Sequence, residues 1–277
     1  MTDLSAHAAA VEALPHDPPG IVEAVRRLLI HEHMGALYGV SLPPAHMHTV
    51  HDRPVAAMLD WIANDDPRNL LTARTPAQRY VCCCRHYTVL TVALLRAKGF
   101  AARARCGFAA YFEPSLFVDH WVCEVYDPAR QRWYLLDAQL DEVQRRHFAI
   151  RFDPFDVPRD QFIVGGEAWQ RCRTGIADPA DFGVLDMHGL WFVGGNVIRD
   201  ATALNNVELL PWDVWGAMFG PDTAPQEALL KWYDELAALT IAPDASLDEL
   251  RRYFADDPRL RVPAEVRNDI LGRMEPV

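Results

Sequence analysis

The sequence has no stretch approaching the ~20 uncharged apolar residues that a membrane-spanning helix needs. Ahead of Pro19 there is no basic segment leading into an apolar run, as a secretory signal would have. The expectation from these two absences is a cytoplasmic protein with no membrane partner. Basic charge is also short: 27 Lys and Arg stand against 38 Asp and Glu, a net charge of -11. That balance argues against nucleic acid and mildly favours neutral or cationic ligands. Among the six cysteines there is no CxxC pair, and three of them are consecutive, at 82, 83 and 84. This layout suits a disulfide framework poorly, so a reducing compartment and mostly buried, apolar cysteines are expected. No acidic cluster has the spacing of a calcium loop, and no repeat or low-complexity tract interrupts the chain. No cofactor is implied.

What is present is enough apolar material, half of 277 residues, to bury a sizeable core. Helical spacing of Val22, Val25, Leu28 and Leu29 predicts a helix over Ile21 to Met34, and a second is expected over Pro54 to Ala63. From Tyr80 to Ala97 the helix-forming run has almost no polar face, which predicts a buried helix, with Gly99 as its C-terminal cap. Alternation then predicts strands over Ala102 to Phe108, His120 to Tyr126 and Trp133 to Asp137, the last two joined by the turn at 127–132. Beyond residue 145 the reading is loop-rich, with Gly165-Gly166 and Gly194-Gly195-Asn196 as loops. Helices are expected near Glu227 to Leu239, Leu247 to Phe254 and Glu265 to Leu271.

Cys84 falls at the start of the buried helix, where unpaired N–H groups and the positive end of the dipole favour a thiolate. In the hairpin, pairing Tyr126 with Trp133, or Asp127 with Arg130, would put His120 and Asp137 on one face of the sheet. A histidine oriented by a carboxylate and reaching a helix-start cysteine makes a nucleophile, base and orienting group.

These segments resemble the transglutaminase-like superfamily over residues 80–139. Cys84-Arg-His-Tyr-Thr-Val-Leu-Thr-Val-Ala-Leu-Leu-Arg-Ala-Lys-Gly99 is similar to that family's cysteine helix. His120-Trp-Val-Cys-Glu-Val-Tyr126 resembles its histidine strand, and Arg132-Trp-Tyr-Leu-Leu-Asp137 its aspartate strand. Cys82 stands where the family commonly has glycine, and Phe100-Ala101 where it has Ile-Pro. The resemblance implies an α+β, papain-like core in which the cysteine helix packs on an antiparallel sheet. It also implies a Cys84-His120-Asp137 triad acting on a small-molecule or peptide amide or other acyl donor. An acyl-cysteine intermediate would then pass to water or to an amine acceptor.

The expected division is an N-terminal helical region at 1–75, a catalytic core at 76–145, and a loop-rich, helical region at 146–277 packed on the core. Gln78, six residues before the nucleophile, is a candidate oxyanion donor beside the Cys84 N–H. Trp133, Trp191, Asn196 and Trp212 are candidates to line a substrate cleft. Two other classes compete: a non-catalytic binding module on the same fold, and a metal-dependent hydrolase using the His46, His48 and His51 cluster. The oligomeric state has no signature.

Overall fold

The structure is a computed structural model describing residues 1–65 and 70–277. It divides into two compact units, and the chain passes between them three times. The first comprises Met1–Ala104 and Val122–Val157, the second Arg105–Trp121 and Pro158–Val277. Among the described residues no helix is long and apolar enough to cross a membrane.

The first unit opens with a short helix, α1 (Ala8–Glu12), and then α2 (Pro18–Leu28). Asp17 caps α2 by accepting from the Gly20 N–H at 2.8 Å, and Pro18 takes the first helical position, where a missing N–H costs nothing. The helix stops at Leu28, short of the expected Met34. The following residues form strand β1 (Leu29–His31), which pairs in parallel with β2 (Tyr80–Cys82), Leu29 opposite Tyr80 and His31 opposite Cys82. Helix α3 (Val55–Asp65) lies between them in sequence.

Helix α4 (Cys84–Ala97) is buried from Cys84 through Leu95 and packs against α2 and α3. Gly99 ends it with φ 83°, and the Phe100 N–H closes back on the Leu95 carbonyl at 3.0 Å. Three strands follow, β3 (Ala102–Ala109), β4 (Phe117–Asp127) and β5 (Arg132–Leu136). β3 and β4 each have residues in both units. In the first unit β5 pairs antiparallel with β4, and the Cys123 thiol reaches the Thr88 carbonyl of α4 at 3.6 Å. The mixed α+β architecture, with a buried cysteine helix against an antiparallel hairpin, is the expected one. Helix α5 (Glu142–His147) follows β5.

In the second unit β6 (Phe162–Val164) pairs antiparallel with β3, while β7 (Phe182–Val184) runs parallel to β4 and antiparallel to β8 (Met187–His188). Helices α6 (Gly165–Arg173), α7 (Leu190–Leu204), α8 (Glu227–Ile241) and α9 (Pro243–Asp256) pack on one another. The glycines expected in loops are helical. Gly166 is the second residue of α6, where a Cβ would lie 2.2 Å from Thr240 Oγ1, and Gly194 lets Phe219, Trp169 and Tyr233 approach α7. Close approach, not a turn, accounts for both.

The helix expected over Glu265 to Leu271 is instead strand β10 (Glu265–Asn268). It lies between the two-residue β9 (Asp213–Val214) and β11 (Arg273–Pro276). Val266 and Asn268 are buried while Glu265 and Arg267 are exposed, a period of two rather than 3.6.

Arg105 and Asp200 form a buried two-pronged ion pair at 2.9 and 2.8 Å, and Asp200 Oδ1 also accepts the Cys106 N–H. Removing one partner leaves a buried charge without its counter-ion. Asp200→Ala is expected to cost about 3–5 kcal/mol of stability, read as a lower urea midpoint; a loss below about 1 kcal/mol would mean that water replaces the carboxylate.

Candidate active site

Helix α4 begins where it does because β2 ends against β1. The Glu32 N–H binds the Cys82 carbonyl at 2.8 Å, and Cys83, extended at φ −110° and ψ 178°, turns the chain into the helix. Cys84 is therefore the first helical residue, 6% exposed, with the N-terminal peptide dipoles behind it. The first turn is tied down by two carbonyls. Arg85 donates to Arg53 O at 2.7 Å and to Asp52 O at 3.4 Å, and His86 Nε2 lies 3.0 Å from Asp52 O.

Cys83 Sγ lies 3.2 Å from His86 Nδ1. Burial, the largest single influence, pushes the Cys83 thiol up. The hydrogen bond from Cys84 and the charge and hydrogen bond of His86, with the charge of His31, outweigh it and hold the thiol well below its usual value. Cys82 has no such help, and burial raises it. Glu32, following β1, is raised to about 7 by burial and then by the negative charge of Cys83.

Asp137 follows β5 directly and is 1% exposed. Its N–H binds Pro154 O at 2.8 Å, and its Oδ1 accepts the Gln139 N–H at 2.9 Å. Arg26 donates to the carbonyls of Asp137 and Ala138, so helix α2 braces the aspartate's backbone. The β4–β5 register has Tyr126 opposite Trp133 and Cys123 opposite Leu136, the first of the two registers expected from sequence. Trp133 lies on the face of Glu124 and Tyr126. The Arg103 guanidinium sits 3.9 Å from its ring centroid and donates to Glu124 at 2.6 Å. Gln78 is exposed, and its side-chain oxygen accepts from the Thr75 N–H at 3.2 Å and the Thr75 hydroxyl at 2.9 Å, which caps a 3₁₀ turn.

His120 belongs to the second unit. It is 1% exposed and walled by Phe112, Tyr111 and Phe162, with ring centroids 4.9, 5.9 and 6.4 Å away. This aromatic wall escaped sequence reading; the available signal was the Tyr111-Phe112 pair directly after β3. Asn196 is buried inside α7, where it donates to Asp119 at 2.7 Å and Gly107 O at 3.2 Å and accepts from Arg199. Trp191 donates to His188 O at 2.9 Å, and the Trp212 carbonyl accepts the Asp269 N–H. Cys84, Asp137, Gln78 and Trp133 thus fall in the first unit, and His120, Trp191, Asn196 and Trp212 in the second.

The histidine cluster lies on a 3₁₀ helix, Pro44–His51. His46 packs edge-on to Trp61 and His48 Nδ1 bonds Ala45 O. Among the described residues no group of three His, Cys, Asp or Glu side chains is placed to hold a metal.

Residues 60–138 match the family model described as the transglutaminase-like superfamily. That segment of the chain is similar to a transglutaminase-like core. It holds Cys84, His120 and Asp137. A crystal structure described as that of a "Putative Cysteine Protease" from Cytophaga hutchinsonii is 24% identical over 40% of this chain, with a TM-score of 0.22. The match covers 34% of that protein's length, about a third. No curated protein matches the chain.

Glu32 carries a prediction about the first unit's stability. Its folded pKa lies above the unfolded value, so the native state holds the extra proton and stability falls as pH rises from about 4.5 to about 7. Glu32→Gln is expected to remove that slope and to be more stable than wild type at pH 8 by roughly 1–2 kcal/mol. Urea denaturation at pH 5 and pH 8 checks it; equal pH dependence in both proteins would contradict the assignment.

Proposed function

We propose that this protein is a cysteine-dependent acyl-transfer enzyme, with Cys84 as nucleophile, His120 as general base and Asp137 as the group that orients the histidine. The observation that carries the reading is the position of Cys84, first residue of a buried helix inside a transglutaminase-like core. The β4–β5 register supports it: Asp137 continues the face of Leu135 and Glu124, and alternation along β4 gives His120 the parity of Glu124.

In the proposed reaction the Cys84 thiolate attacks the carbonyl carbon of an amide or other acyl donor. His120, protonated in forming the thiolate, passes that proton to the leaving amine as the acyl-cysteine forms. Water or an amine then attacks the acyl carbon, His120 takes its proton, and the thiolate is released. The developing oxyanion needs donors, of which the Cys84 N–H at the helix start is the first and the Gln78 side-chain amide the second. The acidic surface, net -11, suits a neutral or cationic acceptor more than an anionic one.

The test is the pH dependence of Cys84 alkylation by iodoacetamide, with each adduct assigned by fragment ions because Cys82 and Cys83 share its peptide. Fast labelling of Cys84 well below pH 8 in wild type, lost in His120→Ala, is expected. With an amide or thioester substrate, His120→Ala and Asp137→Asn should each lower kcat/KM by roughly 10²–10⁴-fold. Slow labelling of Cys84 in both proteins, with an ordinary thiol profile near pH 8.5, would defeat the triad.

A further inference from the structure

The acyl-transfer reading leaves a second thiol beside the nucleophile without a role. His86 Nε2 faces a carbonyl, Asp52 O at 3.0 Å, which can only accept, so in the neutral ring Nε2 carries the proton and Nδ1 is left to accept one. Nδ1 lies 3.2 Å from Cys83 Sγ and 3.3 Å from the Cys83 N–H. A thiol, an accepting imidazole and a third group fixing the tautomer are the parts of an activated nucleophile. Cys84 is adjacent in sequence, and its thiol hydrogen-bonds to Cys83. His31 and Glu32, brought alongside by the β1–β2 pairing, are the other titrating neighbours.

We propose that Cys83 is an oxidative modification site, a thiolate made by His86 that reacts with a hydroperoxide and then closes a reversible disulfide with Cys84. In the first step Cys83 sulfur attacks one peroxide oxygen and the O–O bond breaks. The departing oxygen takes the proton that His86 removed from the thiol. Cys83 is left as a sulfenic acid, oxidised by the two electrons that reduce the peroxide to an alcohol or water. In the second step Cys84 sulfur attacks Cys83 sulfur, the S–S bond forms, the S–O bond breaks, and hydroxide leaves as water with the Cys84 proton. A dithiol reductant returns both thiols by exchange. Adjacent Cα atoms are about 3.8 Å apart, shorter than the usual span of about 4.4–6.8 Å for a disulfide, so this ring is strained and readily reduced. Its consequence, that the oxidised enzyme is silent, rests on the acyl-transfer reading; its formation does not.

Trypsin releases all three consecutive cysteines in one peptide, Tyr80 to Arg85. After brief treatment with hydrogen peroxide and blocking with iodoacetamide, the wild-type peptide is expected to show the loss of two hydrogens and one remaining alkylated cysteine, Cys82. A dithiol should reverse this. The species should persist in Cys82→Ser, vanish in Cys83→Ser, form roughly tenfold more slowly in His86→Gln, and form at the wild-type rate in His120→Ala. The His120→Ala arm separates the two readings, since a failed triad leaves disulfide formation intact. No such species in wild type, its survival in Cys83→Ser, or dependence on His120 but not His86 would each overturn the proposal. The wild-type measurement decides even where a variant does not fold.

Discussion

The pairing of three residues of β1 with three of β2 is the constraint on which the site's first unit depends. It ends the strand at Cys82, so the chain must turn at Cys83, and α4 can begin only at Cys84. Each backbone bond in such a pair contributes only about 0.5–1.5 kcal/mol net, but here they also set register. A slip by one residue would exchange the faces of Val81 and Cys82 and move the helix start off Cys84. The Asp52 and Arg53 carbonyls, held by Arg85 and His86, brace the same turn from its other side.

Placing three ionisable thiols in a row could have made them equivalent, yet their surroundings separate them. Cys82 is buried on a strand with Cys83 and Glu32 as its charged neighbours, and its thiol is pushed up. Cys83 faces an imidazole and is pulled down, while Cys84 sits at the positive end of a helix. Burial alone would raise all of them; the difference at Cys83 comes from the imidazole that its sulfur meets at 3.2 Å, and the strand-to-helix turn decides that.

Much of this was legible in the sequence. The run from Cys84 to Gly99 has almost no polar face and a glycine at its end, so helix, burial and stop could all be read from it, and the Tyr126–Trp133 register was one of the two that alternation allowed. β1 was not legible, because Leu29-Ile30-His31 continues the apolar spacing of α2 and only its pairing with β2 makes it a strand. Gly194 and Gly195 read as loop because glycine usually breaks helices, whereas here aromatic rings pack close against Gly194 and the Arg199 guanidinium against Gly195. The strand at Glu265–Asn268 lost to a helical reading since four residues are too few to display a period. The partnership of Cys83 with His86 was visible as a spacing of three, but its meaning lay in the Asp52 carbonyl.

The route of the chain between its units has a consequence for biosynthesis. It leaves the first unit inside β3 and returns inside β4, and the first unit closes only at Val157. A nascent chain that has exposed α4 still lacks β5, Asp137 and the Pro154 carbonyl that holds it. Neither unit is a continuous length of polypeptide, so no single cut in the gene would yield either one whole. The cysteine helix, buried from Cys84 through Leu95 in the folded protein, must wait for later strands while the ribosome is still at work, an interval in which its apolar side chains are exposed.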